Sequence, residues 1–217
     1  KKFSKISFEL FENSASILKS SSKKEGKKII QLVYKENNLG DNISSLPIYA
    51  GYIRDRKKKH FYTFYTTTKK DDRDDREGEL LCIYFNDNSN QENSNSASGS
   101  LDSTKSSVSV IIPKTEKPNY PISQRLTFEN FLVTGKFDQS KFIKLVGSKI
   151  TSEIESEFGS SFYIKSGKNC ALVEPNSNKY VFILLKSNYE IFNMKVRPPL
   201  TVQQGFALAI SLIKHNI

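Results

Sequence analysis

The alternation of apolar and polar positions is most regular over residues 138–217. Apolar side chains recur at Phe142, Val146, Ile150, Ile154 and Phe158, one every four positions, with Ile143 and Leu145 widening the stripe. That spacing predicts an amphipathic helix. Asp138 supplies a short acceptor for its first turn, and Gly159 suits a left-handed end. Two β-rich runs follow, Ser161–Ile164 and Cys170–Val173, divided by a polar turn over 166–169. Glu174 to Asn178 forms a second turn before the strongly apolar Tyr180–Leu185. Lys186-Ser187-Asn188 then turns the chain into Tyr189–Val196. Short connections of this kind join neighbouring antiparallel strands. Pro198 and Pro199 end the last strand, since neither can donate to a ladder. Thr201, with Gln204 three residues on, marks a capping box. Val202, Phe206, Ala209, Ile210, Ile213 and Ile217 form the apolar face of the helix it opens. The expected module is a helix, a four-stranded antiparallel meander and a helix, packed as a layered sandwich.

Residues before this module read as β-rich. Phe3–Leu10, Lys28–Tyr34, Pro47–Ile53, His60–Thr67, Leu80–Phe85 and Val108–Ile112 are runs of aromatic and β-branched residues. Such residues favour strands, and five or six strands with polar turns predict a small antiparallel sheet, sandwich or partial barrel. Residues 86–107 are mostly Asn, Ser, Asp, Gln and Gly, with Leu101 the sole aliphatic larger than alanine. A tract so polar cannot offset its ordering entropy, which predicts a disordered insert within a hairpin. The stretch 113–121 holds three prolines and reads as the domain boundary. Arg125–Val133 then leads into the C-terminal part as an edge strand. The expected class is therefore α+β: a β-rich domain over 1–117 with its insert at 86–107, then an α-ββββ-α module over 118–217. This order of elements is similar to that of several adaptor-appendage and kinase-associated regulatory domains, a likeness of architecture that carries no activity by itself.

The chain carries a net charge of +10, which raises nucleic acid as a partner. The excess is mainly lysine, and the six arginines are scattered, whereas arginine is the residue favoured for gripping phosphate bidentately. The charge is also spread, at +6 over residues 1–79, −1 over 80–120 and +5 over 121–217. Abundant Lys, Asn, Ile, Phe and Tyr match the coding bias of an AT-rich genome. The chain begins at Lys1, not Met, and reads as a fragment or as a renumbered chain. No apolar run approaches the length needed to span a bilayer, and no signal peptide is visible. Cys82 and Cys170 sit in apolar strand-like surroundings and are expected to be buried free thiols. An intracellular location follows, with nucleus and cytoplasm both open.

One stretch combines charge with aromatic rings. Arg54, Arg56, Lys57, Lys58 and Lys59 precede His60, Phe61, Tyr62, Phe64 and Tyr65, and Lys69 and Lys70 follow. Basic groups neutralise phosphates and exposed rings can stack on bases, so Arg54, Arg56, Lys57, Lys58, Lys59, Tyr62, Tyr65 and Lys69 form a candidate nucleic-acid platform. Lys23–Lys28 would support it, and an anionic membrane surface could use the same lysines. The competing reading is a basic turn followed by a core strand.

Other motifs carry less. The carboxylates of 71–75 lack the spacing of a calcium loop. His60 and His215 are not accompanied by the ligands a structural zinc needs, nor by a cysteine in a nucleophile signature. Thr134-Gly135-Lys136 and Ser166-Gly167-Lys168 lack the P-loop spacing, and Glu153, Glu155 and Glu157 read as a solvated face. No cofactor, no metal and no catalytic residue is expected. The expected role is a non-catalytic binding or assembly subunit of a larger complex whose partners are other protein subunits. Phe206, Leu208 and Leu212 broaden the last helix beyond what one sheet must cover, so they are the expected partner surface. Direct nucleic-acid binding through 54–70 is the alternative.

Overall fold

In the computed structural model, the described residues are 7–22, 29–34, 49–56, 61–65, 79–86, 107–114, 140, 142–157, 163–175, 177 and 179–215. They carry eleven strands and two helices. The strands are β1 (Glu9–Glu12), β2 (Ala15–Ser22), β3 (Ile29–Tyr34), β4 (Tyr49–Arg56), β5 (Phe61–Tyr65), β6 (Glu79–Asn86), β7 (Ser107–Pro113), β8 (Phe142–Ser148), β9 (Cys170–Val173), β10 (Tyr180–Lys186) and β11 (Phe192–Val196). The helices are α1 (Ser152–Glu157) and α2 (Val202–Lys214). Strand order in the sheet follows chain order from β1 to β11. The described residues fall into two compact units, one up to Cys82 and one from Ile83 onward.

This is a β-rich fold, which corrects the α+β expectation and its helix–meander–helix module. The error lies at residues 142–148. A strand occupies the first half of the expected helix, pairing with β7 at Val110↔Leu145 and Ile112↔Ile143 and with β9 at Gly147↔Leu172. The physical reason is arithmetic. A four-residue apolar repeat fits one helix face, but four is also twice the strand period, so Phe142 and Val146 share a strand face equally well. β-Branched residues and Gly147 then favour the strand. Only the end of the expected helix is helical, where α1 buries Ile154. The expected cap at Asp138 lies outside the described residues. Tyr163 and Ile164 carry no strand, and with the first helix gone the likeness to appendage domains goes too.

In the first unit, Asn13 and Ser14 both take positive φ, 49° and 67°, between β1 and β2. That is the backbone of a two-residue hairpin turn. β2 is rich in serine, and two of its serines are buried but bonded. Ser20 Oγ accepts from the Phe8 amide at 2.8 Å, and Ser16 Oγ donates to the Glu9 carboxylate. Ile30, Leu32 and Ile53 are buried on alternate positions of β3 and β4, while every residue of β5 is buried. Beside the register shift that skips Ala50, Gly51 stands with φ +148° against the Tyr65 carbonyl and the Phe64 ring.

In the second unit, β10 is buried from Val181 to Leu185. One of its faces joins Ile183 and Leu185 to Ala171 and Ile154 in a cluster. The other face carries Phe182 and Leu184, opposite Val196 and Met194 of β11. Gly205 of α2 seats directly on Val196, with no room for a Cβ. The capping box is formed as expected: the Gln204 amide donates to Thr201 Oγ1 at 3.2 Å and the Thr201 amide to Gln204 Oε1 at 2.8 Å. Caps of this type contribute about 1 kcal/mol. Burial then runs unbroken from Gln204 to Leu212, so α2 is enclosed on all its faces and not along one stripe. At its far end His215 is the C-cap residue and lies flat on Phe85, with ring centroids 3.6 Å apart. No described helix is long and apolar enough to cross a membrane.

Candidate docking surface

The β10–β11 hairpin combines a rigid base with an apolar tip. The base is fixed by five successive register pairs from Phe182↔Val196 to Lys186↔Phe192. The tip is held by polar bonds that converge on one carbonyl. Ser187 and Asn188 donate their amides to the Ile191 oxygen at 3.0 and 3.2 Å, and Ser187 Oγ adds a third bond at 3.3 Å. The Asn188 side chain also accepts from the Tyr189 amide at 2.6 Å. With the backbone so occupied, the side chains of Tyr189 and Ile191 project outward, 82% and 56% exposed.

A loop on the β9 side braces the same end. Ile164 donates its amide to the Lys186 carbonyl at 2.7 Å. Asn169 bridges the two segments, accepting from the Lys186 amide at 2.8 Å and donating to the Ile164 carbonyl at 2.9 Å. Asn169 thus stands in for a strand residue where β9 has not yet begun. Ile164 is 46% exposed. Three of the five exposed large apolar residues in the described chain therefore lie at this end of the sheet. Lys186 holds its ammonium 5.5 Å from the Tyr189 ring centroid and 6.0 Å from that of Phe192. Cation–π contacts of this length are attractive and hold charge beside the rings. Segments 163–169 and 186–197 together carry Lys165, Lys168, Lys186, Lys195 and Arg197 against Glu190 alone.

The residues expected from sequence to face a partner are placed elsewhere. Phe206, Leu208 and Leu212 are all buried within α2. Tyr62 and Tyr65, the rings of the nucleic-acid alternative, are 1% and 4% exposed. Tyr62 lies opposite Asp55 in the β4–β5 register. Tyr65 stacks on Tyr52 at 4.9 Å and donates to the Glu79 carboxylate at 3.3 Å. Burial, with the neighbouring Asp55 and Glu79 carboxylates, pushes both phenols well above their ordinary range. Arg54 is half-exposed on β4, opposite Thr63, and Arg56 ends that strand. Lys57, Lys58, Lys59 and Lys69 lie outside the described residues, as do His60, Lys23–Lys28, the carboxylates of 71–75, nearly all of the 86–107 insert and Arg125–Val133.

Tyr189 and Ile191 were legible only as strand residues. The signal that sets them apart is their face. Positions 189, 191, 193 and 195 read Tyr, Ile, Asn, Lys, so the apolar pair runs into polar residues along the strand.

Among the described residues, no group of three or more His, Cys, Asp or Glu is placed to hold a metal ion. Both cysteines are free. The Cys170 residue is only partly buried, but its thiol is enclosed, and desolvation of the thiolate pushes its pKa up to about 12. Reaction with iodoacetamide at pH 8 is therefore expected to be about a thousandfold slower at Cys170 in the folded protein than after denaturation, since only the thiolate attacks. Site-resolved mass spectrometry reads this directly. The folded pKa is the raised one, so the thiol's contribution to stability is complete below pH 9 and declines as pH climbs from there to about 12.

Compared with protein-family models and with curated proteins, the chain matches no family model and no curated sequence.

Proposed function

We propose that the protein is a non-catalytic binding and assembly subunit of a larger complex, docking on a partner protein through the β10–β11 hairpin end. The observation that carries this reading is the exposure of Tyr189, Ile191 and Ile164 together on a backbone held rigid by Ser187, Asn188 and Asn169. Full burial of a large apolar side chain contributes about 1.5–3 kcal/mol, and tyrosine is among the residues that dominate interface energetics. A preformed backbone spares the partner the entropy of ordering it. The two free thiols support an intracellular setting, where such groups stay reduced.

The test is native purification of the wild-type protein and of a Tyr189→Ser/Ile191→Ser double variant. The wild type is expected to carry a stoichiometric partner, and the variant to lose at least about tenfold of it, the equivalent of roughly 1.4 kcal/mol. Because both side chains are exposed, thermal stability should stay within about 0.5 kcal/mol of wild type. Undiminished partner recovery with the double variant would remove the hairpin from this role. Micromolar binding of single-stranded oligonucleotide that weakens steeply with salt would favour the nucleic-acid reading.

A further inference from the structure

A short ring of hydrogen bonds joins the 163–169 loop to the β10–β11 hairpin, and its origin lies in the register of β10. The Arg197 amide donates to the Val181 carbonyl at 2.8 Å, and the Ser187 amide to the Ile191 carbonyl at 3.0 Å. In an antiparallel ladder, bonded pairs alternate with non-bonded ones. Bonds across this hairpin therefore fall on its odd-numbered residues. Lys186, opposite Phe192, turns its N–H and C=O to the β9 side instead. There β9 falls short, since its register with β10 ends at Leu184↔Cys170. A backbone amide and carbonyl left without partners would cost stability.

The loop supplies both partners. The Lys186 amide donates to Asn169 Oδ1 at 2.8 Å, Asn169 Nδ2 donates to the Ile164 carbonyl at 2.9 Å, and the Ile164 amide donates back to the Lys186 carbonyl at 2.7 Å. Asn169 is itself held in its turn, its amide donating to the Ser166 carbonyl at 3.0 Å. The Lys168 amide adds a bond to Ser166 Oγ at 3.3 Å. The ring needs an acceptor on one side-chain atom and a donor on another, and asparagine is the shortest residue with both. Aspartate lacks the donor and alanine lacks both.

We infer that Asn169 is the positioning residue of the docking end: its carboxamide sets Ile164 level with the end of β10, so that Ile164 and the Tyr189–Ile191 tip meet a partner as one surface. This rests on the docking role proposed above and specifies how its surface is assembled. Tyr189 and Ile191 are set by the turn bonds of the hairpin itself. Ile164 belongs to another segment and carries no strand. The neighbouring Tyr163 packs on the cluster of Ile154, Ala171, Ile183 and Leu185, which keeps the loop near the sheet. The ring through Asn169 then fixes where along β10 the Ile164 backbone sits. Loss of the carboxamide should therefore loosen Ile164 and leave the core in place.

Amide hydrogen exchange of the full chain, read residue by residue by NMR, tests the ring directly. Asn169→Ala is expected to speed exchange at the Lys186 and Ile164 amides by about tenfold or more, and to leave the Val181–Leu185 amides nearly unchanged. Asn169→Asp keeps the acceptor, so the Lys186 amide should stay slow. Its carboxylate cannot donate to the Ile164 carbonyl, so the Ile164 amide should still speed up. Native co-purification then reads the docking. Asn169→Ala and Ile164→Ser are expected to lose partner alike, and the double variant no more than either, because the two act through one side chain. The urea midpoint of Asn169→Ala should hardly move. Unchanged exchange at Ile164 in Asn169→Ala would overturn the inference. So would partner losses that add in full, or a loss that tracks a lowered urea midpoint, the mark of a merely structural residue. Full partner recovery by Tyr189→Ser/Ile191→Ser, alongside the expected exchange response, would fell the docking role, and the placing of Ile164 by Asn169 would stand.

Discussion

Gly51→Ala is expected to destabilise the protein by about 2–5 kcal/mol, far more than an alanine at most sheet glycines. Two independent penalties meet there. The backbone of Gly51 has φ +148°, a region that residues with a Cβ rarely adopt. An added Cβ would also collide with the Tyr65 carbonyl and lie 2.6 Å from a ring carbon of Phe64. Neither neighbour can move cheaply. Tyr65 is held in β5 by its register with Tyr52, and Phe64 is buried. Gly147 is the internal comparison. A Cβ there would meet nothing nearer than the Val108 carbonyl at 3.5 Å, an ordinary contact. Gly147→Ala should be neutral or stabilise by up to about 1 kcal/mol, by restricting the unfolded chain. Urea unfolding of both variants gives the result. Similar midpoints for the two would show that the close approach at Gly51 is not a constraint on the fold.

Legibility in this sequence depended on whether a pattern had one structural solution or two. The capping box Thr201–Gln204 has one solution, and α2 starts where it says. Strands with dense aromatic and β-branched content, such as Phe61–Tyr65 and Tyr180–Lys186, were equally clear. The four-residue repeat from Phe142 has two solutions, and the helix reading was the wrong one for residues 142–148. β2 was missed for a different reason. Its Ser16 and Ser20 are buried through hydrogen bonds to Glu9 and to the Phe8 backbone, partners that lie on another segment and leave no trace in local hydropathy. The Asn13-Ser14 turn lacks the glycine that usually announces a two-residue hairpin.

The surface was less legible than the core because sequence reports apolarity, not what covers it. Tyr62 and Tyr65 were candidates for exposed rings of a nucleic-acid platform, yet β5 is buried at every position. Phe206, Leu208 and Leu212 looked surplus because one sheet covers one helix face, and α2 is enclosed all round. Tyr189 and Ile191 are no more apolar than these residues. Their exposure follows from the turn bonds at Ser187 and Asn188, which only the folded hairpin creates.

The contrast between α2 and the hairpin tip makes a second large effect predictable. Leu208→Ala is expected to cost about 2–5 kcal/mol, the range for removing a leucine side chain from a packed interior and leaving part of the cavity behind. Leu208 is 0% exposed and sits between Ala207 and Ala209, which are themselves buried. Its neighbours are fixed from both ends of the helix, by the capping box at Thr201 and by the His215 stack on Phe85. The site has little freedom to collapse, which argues for the upper part of the range. Tyr189→Ala should change stability by less than about 0.5 kcal/mol, because its ring is already in water and forfeits only the Lys186 contact. Thermal unfolding and native co-purification, measured on the same two variants, should thus give opposite patterns: Leu208→Ala unfolds early, whereas Tyr189→Ala folds normally and retains less partner. A Leu208→Ala protein with unchanged melting but weakened partner binding would return the last helix to the surface, and the enclosed α2 on which the second unit's core is built would have to be abandoned.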